Sequence, residues 1–194
     1  MERLALPHVE RRIGAYRPTR IPDLLAKRRA AVATILRFER EAPDVLLIKR
    51  ARREGDRWSG HVAFPGGRQE EQDDDLHHTA VRETHEEVGL DLSAHGRLLG
   101  RLDDVMAIAK GKVLPMAITP FVYLQTEPSE LVLNHEAEDS FWLPLDEVWS
   151  GKLSGKLPYE MGPLTLQLSC WSYEGFTVWG LTHTMLSRFL QILR

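Results

Sequence analysis

Cysteine is almost missing from this 194-residue chain: Cys170 is the sole example. One cysteine excludes an internal disulfide framework and any cysteine-rich zinc site, and it makes the reducing cytoplasm the expected compartment. The eight histidines include no His-x-x-x-His pair, so a zinc-helix reading fails as well. No apolar run approaches the ~18 residues of a membrane span. The first twenty residues, MERLALPHVERRIGAYRPTR, lack the apolar stretch of a secretory signal, and Glu2 and Glu10 among the arginines argue against a mitochondrial leader. Internal repeats and low-complexity linkers are absent too. With 43% hydrophobic and 27% charged residues, the expectation is one globular domain over 1–194, its residues 1–20 forming an N-terminal arm without clear periodicity.

A one-signed charge excess is also lacking, since the net charge is only −3. This excludes a dedicated nucleic-acid binder, which would carry a basic domain. The balance hides an asymmetry. Residues 1–60 hold 15 Lys and Arg against 8 Asp and Glu, whereas the remainder holds 10 against 20. A basic half and an acidic half in one fold suit a cleft that grips a polyanion with arginines and a divalent cation with carboxylates.

The pattern of elements is mixed. Pro22 and Asp23 open an expected short helix, PDLLAKRR. Apolar runs at 30–38 and 45–50 flank a polar turn and predict a hairpin. Further strands are expected at 62–64, 98–102, 117–125 and 140–145, with a short helix beginning at Pro144. Residues 162–180 alternate around Glu174-Gly175 and predict a second hairpin, and LTHTMLSRFLQILR predicts an amphipathic terminal helix. Strands interleaved with few helices imply an α/β (α+β) fold, a mixed central sheet between helices.

The chemistry concentrates in PGGRQEEQDDDLHHTAVRETHEEVGL, residues 65–90. Leu76–Val88 reads as a helix stopped by Gly89. On it, Glu83, Glu86 and Glu87 share one face at i, i+3 and i+4, where like charges repel by a few tenths of a kcal/mol per pair. They also sit near the helix C-terminus, where the macrodipole disfavours an anion by ~0.3–1 kcal/mol. A bound cation compensates both penalties. Hard oxygen donors without cysteine select Mg²⁺ or Mn²⁺. Gly66 and Gly67, ending a strand after Pro65, let the backbone approach closely and offer a carbonyl as a further ligand. Arg82 is placed to hold one glutamate in its rotamer. The loop Lys49, Arg50, Arg52, Arg53 and Arg57 supplies five cations within nine residues. Arg50 and Arg57 are the candidates to meet substrate phosphate, and Arg52 and Arg53 read as solvated. Other motifs fail. Asp73-Asp74-Asp75 has calcium-loop acids, but His78 stands where glycine is needed. GKLSGKL at 151–157 is one residue short of a P-loop.

These residues resemble the signature of the Nudix hydrolases: Gly67, an acid at Asp73 or Asp74, then Arg82, Glu83, Glu86, Glu87, Gly89 and Leu90. The stretch from Gly67 to Arg82 is one residue longer than the usual box, its acid is Asp rather than Glu, and Thr84 replaces an aliphatic residue. A narrower resemblance, to the coenzyme A pyrophosphatase branch, rests on LLIKR with Arg50, on Phe64-Pro65-Gly66-Gly67 and on VWGLT at 178–182. There the loop is one residue longer, Asp56 takes the usual arginine position beside Arg57, and Ala51 replaces serine.

The resemblance implies a Nudix-type α/β/α sandwich and hydrolysis of a pyrophosphate by water. Coenzyme A or a derivative is the leading substrate, with 3′,5′-ADP and 4′-phosphopantetheine as products. It implies Glu83, Glu86 and Glu87 as metal ligands, with a carbonyl of Gly66 or Gly67 completing the set. The general base is either Glu83 or Glu136, which lies just before a strand. Alternatives are the same chemistry on ADP-ribose, a nucleotide sugar, a dinucleoside polyphosphate or a nucleoside triphosphate, or a nucleotide-sensing module without turnover. The expected partner is a small molecule, not nucleic acid or membrane, and the arm leaves a homodimer open.

Overall fold

The computed structural model describes residues 2–55, 58–109 and 111–194. After a 3₁₀ turn come α1 (Leu6–Ala15), β1 (Arg28–Arg37), β2 (Asp44–Arg50), β3 (Val62–Ala63) and β4 (Gly66–Arg68). The chain continues through α2 (Leu76–Val88), α3 (Leu92–His95), β5 (Gly96–Arg101), β6 (Val105–Ala109) and β7 (Lys112–Gln125). It ends with β8 (Ala137–Pro144), α4 (Leu145–Trp149), β9 (Ser154–Met161), β10 (Leu164–Tyr173), β11 (Phe176–Trp179) and α5 (Gly180–Ile192).

The main sheet has the order β3-β2-β1-β7-β5, with β4 added to β1, β6 to β7 and β8 to β2. It is mixed because β1 runs parallel to β7 over nine registered pairs while its other ladders are antiparallel. Alternation along the central strands sorts side chains between two faces. Ala31, Ala33, Ile35, Leu46 and Ile48 pack with Ala80 and Val88 of α2. Leu36, Val45 and Leu47 pack with Val9 and Ile13 of α1 and with Leu186 and Phe189 of α5. The sheet therefore lies between helices, as the α/β/α expectation requires. A smaller antiparallel sheet has the order β11-β10-β9. Its β10–β11 turn puts Glu174 and Gly175 both at positive φ, 47° and 84°, as a tight hairpin turn demands. Among the described residues, no helix is long and apolar enough to cross a membrane.

Two expectations about the N-terminal region are corrected. Residues 1–20 contain a docked helix rather than an arm without periodicity. Leu4, Val9 and Ile13 are buried, His8 Nε2 lies 2.8 Å from the Leu193 carbonyl oxygen, and Arg12 Nε donates to the Ile192 carbonyl. Only two apolar residues one turn apart carry the burying face, which leaves little period to read. Conversely, PDLLAKRR forms a turn and then enters β1. Its Leu24 and Leu25 are exposed, so no apolar face exists to hold a helix against the sheet, and Asp23 instead pairs with Arg20 and Arg29.

Candidate active site

The helix carrying the acids is fixed at both ends by local chemistry. The Asp75 carboxylate accepts a hydrogen bond from the His78 N–H at 2.7 Å as N-cap. Gly89 closes the other end in the left-handed conformation at φ 70°. Thr79, Ala80, Thr84 and Val88 are buried beneath the helix, and this places Glu83 and Glu87 over the diglycine segment of β4.

The backbone leaves no room for a side chain at Gly66. Gly66 sits at φ 148°, and a Cβ there would lie 2.3 Å from the Ala31 carbonyl oxygen. A Cβ on Gly67 would lie 2.3 Å from Cδ of Glu83, so the carboxyl of Glu83 rests directly on the backbone of Gly67.

The three glutamates occupy different environments. Glu87 is buried, 2% exposed at its side chain. Its Oε2 accepts the Gly66 N–H at 2.8 Å, and Oε1 lies 3.8 Å from Nη1 of Arg50. Burial nonetheless wins over both and pushes its carboxyl up to about 7. Glu83 is also raised, chiefly by burial, against the pull of Arg82. Glu86 is half-exposed, and its Oε2 meets Nη1 of Arg82 at 3.1 Å.

Arg82 organises the group. Its Nε and Nη2 donate to both oxygens of Asp73 at 2.8 and 2.9 Å, a bidentate fork, while Nη1 faces Glu83 at 3.0 Å. Asp73 is buried and also accepts from Thr79 Oγ1 and the Glu70 N–H, each at 2.9 Å. The guanidinium, more than the added hydrogen bonds, holds its carboxyl well below the usual range. Of the two candidate loop acids the structure thus places Asp73 on Arg82 and leaves Asp74 exposed. The extra residue in the loop does not prevent this pairing.

Glu136 enters from the loop before β8. Its charge is among the causes that raise both Glu83 and Glu87. Its Oε1 pairs with Nη1 of Arg53 at 3.1 Å, and its carbonyl accepts the Ala51 N–H. Arg53, expected to be solvated, therefore steadies this loop. Arg57 lies outside the described residues.

Among the described residues, no three acidic or histidine side chains stand as a ready-made coordination set. Arg82 pairs with the carboxylates of Glu83 and Glu86. The donor chemistry still fits a hard divalent cation. Five carboxylates (Asp73, Glu83, Glu86, Glu87 and Glu136) face three guanidiniums (Arg50, Arg53 and Arg82). The excess negative charge is partly buried, where a cation compensates it most effectively.

The NUDIX domain profile matches residues 26–166. Over 168 residues the chain is 33% identical to the human mitochondrial coenzyme A diphosphatase NUDT8, covering 84% of this chain and 69% of that protein. It is 36% identical over 155 residues to an uncharacterized protein of Schizosaccharomyces pombe, covering 70% of this chain but only 47% of that one. In three dimensions it resembles a Caenorhabditis elegans Ap4A hydrolase with a TM-score of 0.52 at 21% identity, over 63% of this chain and 84% of that one. The last similarity concerns the fold alone.

Proposed function

The chain belongs to the NUDIX family and is a hydrolase of pyrophosphate bonds, and from that premise we propose that its substrate is coenzyme A or a derivative, cleaved with Mg²⁺ or Mn²⁺. The observation that carries the hydrolytic site is the contact of Glu83 and Glu87 with the Gly66–Gly67 backbone. The substrate assignment rests on the similarity to the human coenzyme A diphosphatase together with Arg50 and Phe64-Pro65-Gly66-Gly67.

Glu83, Glu86 and Glu87, with a carbonyl of Gly66 or Gly67, would hold the cation once Arg82 yields its contacts to Glu83 and Glu86. Bound there, a divalent cation neutralises phosphate charge and polarises the P–O bonds. The chain's own residues do the rest. Arg50, at the end of β2, and Arg57 bind phosphate oxygens. Glu136 or Glu83 accepts the proton of the attacking water. As the new P–O bond forms, the bridging P–O bond breaks, and the products 3′,5′-ADP and 4′-phosphopantetheine separate. Arg82 stays anchored on Asp73 while it releases Glu83 and Glu86. We further place the enzyme in the cytoplasm, acting on a small molecule.

Mass spectrometry of products formed in ¹⁸O-labelled water tests this reading. Coenzyme A with Mg²⁺ should yield 3′,5′-ADP and 4′-phosphopantetheine, with one label in one product. Cleavage of ADP-ribose, a nucleotide sugar or a dinucleoside polyphosphate, with coenzyme A untouched, overturns the substrate assignment. Tight nucleotide binding without any cleavage overturns the catalytic one.

A further inference from the structure

A cleft of about 420 Å³ opens between α4, the base of the β9–β10 hairpin and α5. Val148, Trp171 and Leu190 line it and belong to the core packed with α1 and α5, whereas α2 and its glutamates lie on the other face of the sheet. Its volume is that of a small-molecule site.

Two polar walls face each other across it. Lys156 pairs with Ser169 and Ser154 with Trp171, so these four side chains share one face of the hairpin. His183, Ser187 and Gln191 recur every four residues and form one stripe of α5, with Arg194 just beyond its end. The walls touch where the rings of Trp171 and His183 stack at 4.0 Å. Elsewhere they stay apart. Lys156 Nζ donates to Ser169 Oγ at 3.2 Å within its own wall. Among the described residues, the side chains of Ser154, Ser187, Gln191 and Arg194 make no hydrogen bond to protein.

The charge of the cleft runs against its surroundings. Residues 61–194 hold 20 Asp and Glu, yet no acidic side chain lines the cleft, which holds Lys156 and Arg194. Neither cation makes an ion pair among the described residues, and Arg194 instead lies over the Trp149 ring at 5.5 Å. Burial, and then the charge of Lys156, hold the His183 imidazole below its ordinary value, so Lys156 faces α5.

We propose that this cleft binds a small phosphomonoester, its phosphate held by Lys156 and Arg194 and its apolar body laid against Val148 and Leu190. The hydroxyls of Ser154 and Ser187 and the amide of Gln191 add neutral donors. Three terminal phosphate oxygens use such a set more fully than the two oxygens of a carboxylate.

Calorimetric titration of the full chain with phenyl phosphate in chelator tests this. The double variant Lys156→Gln, Arg194→Gln should weaken binding at least tenfold, with an unchanged circular dichroism spectrum because both side chains are exposed. Ser187→Asp, which adds a negative charge to the helical wall, should weaken it to a similar degree. Arg50→Ala, on the catalytic face, should bind the probe as the wild type does. Benzoate and inorganic phosphate, each lacking half of the probe's chemistry, should bind at least tenfold more weakly. No heat of binding at about 10 mM probe overturns the proposal, as does binding that survives the cleft variants or vanishes with Arg50→Ala. Benzoate bound as tightly as phenyl phosphate overturns the phosphate assignment, and inorganic phosphate bound as tightly overturns the role of the apolar wall.

Discussion

Removing the charge of Glu87 should stabilise the metal-free protein, and only at high pH. In the folded chain burial raises this carboxyl from 4.5 to about 7, so the native state binds its proton more tightly than the unfolded state does. The associated stability is complete below pH 4.5 and lost as pH rises through 7. A displacement of that size corresponds to about 3 kcal/mol. The side chain is only 2% exposed, so solvent screening removes little of it. Glu87→Gln stays neutral and keeps an oxygen for the Gly66 N–H. Urea titrations in chelator should therefore show wild type and variant equal near pH 4.5 and the variant ahead by up to about 3 kcal/mol at pH 8.5. For a chain of this size that is roughly 6–12 °C in Tm. Mg²⁺ should close much of the gap at pH 8.5 by stabilising only the wild type, by ~2.7 kcal/mol at a hundredfold excess over Kd. A difference independent of pH, or a wild type more stable at pH 8.5 without metal, refutes the argument.

Three further outcomes follow from the same contacts. Arg82→Ala leaves the buried Asp73 carboxylate without its guanidinium and should cost about 3–5 kcal/mol in a denaturant titration. Gly67→Ala drives a methyl into the carboxyl of Glu83 and turns that side chain aside; kcat should fall at least 100-fold, with a stability change below ~1 kcal/mol because the flexible side chain can move. Glu86→Gln alters a half-exposed side chain, so turnover should be abolished while the melting temperature of the metal-free protein moves by less than ~1 °C.

The parts of the fold legible in the sequence are those decided locally. Helix α2 carries its own start at Asp75, its own stop at Gly89 and its apolar underside, and it forms over the predicted residues. The hairpin at Glu174-Gly175 is equally local. Pairings made across long separations were not legible. Nothing in 30–38 announces its parallel neighbour β7, some 85 residues later. Strand β9 escaped because Pro158 argues against a strand, an objection that lapses at a sheet edge. Helix α1 escaped because two residues, Val9 and Ile13, supply almost its whole buried face.

The site divides in the same way. The shared face of Glu83, Glu86 and Glu87 follows from helical spacing, but their unequal burial does not. It arises because β4 runs beneath the helix and its glycines admit two carboxyls to the backbone. Spacing also places Arg82 beside Glu86 but says nothing of Asp73, nine residues away, whose buried fork fixes where the guanidinium points. Tied to Asp73, Arg82 cannot leave the group, so it screens Glu83 and Glu86 from each other in the metal-free state. Its Nη1 is shared between those two carboxylates, and on the proposed reading a doubly charged ion would compete for the same oxygens. Buried Glu87 is less well compensated: Arg50 stands 3.8 Å away, and burial raises the carboxyl to about 7. Metal binding at neutral pH should therefore release a proton from Glu87, a quantity calorimetry in buffers of different ionisation enthalpy reads directly. Uptake independent of buffer would show that Glu87 was already ionised and that Arg50 had sufficed.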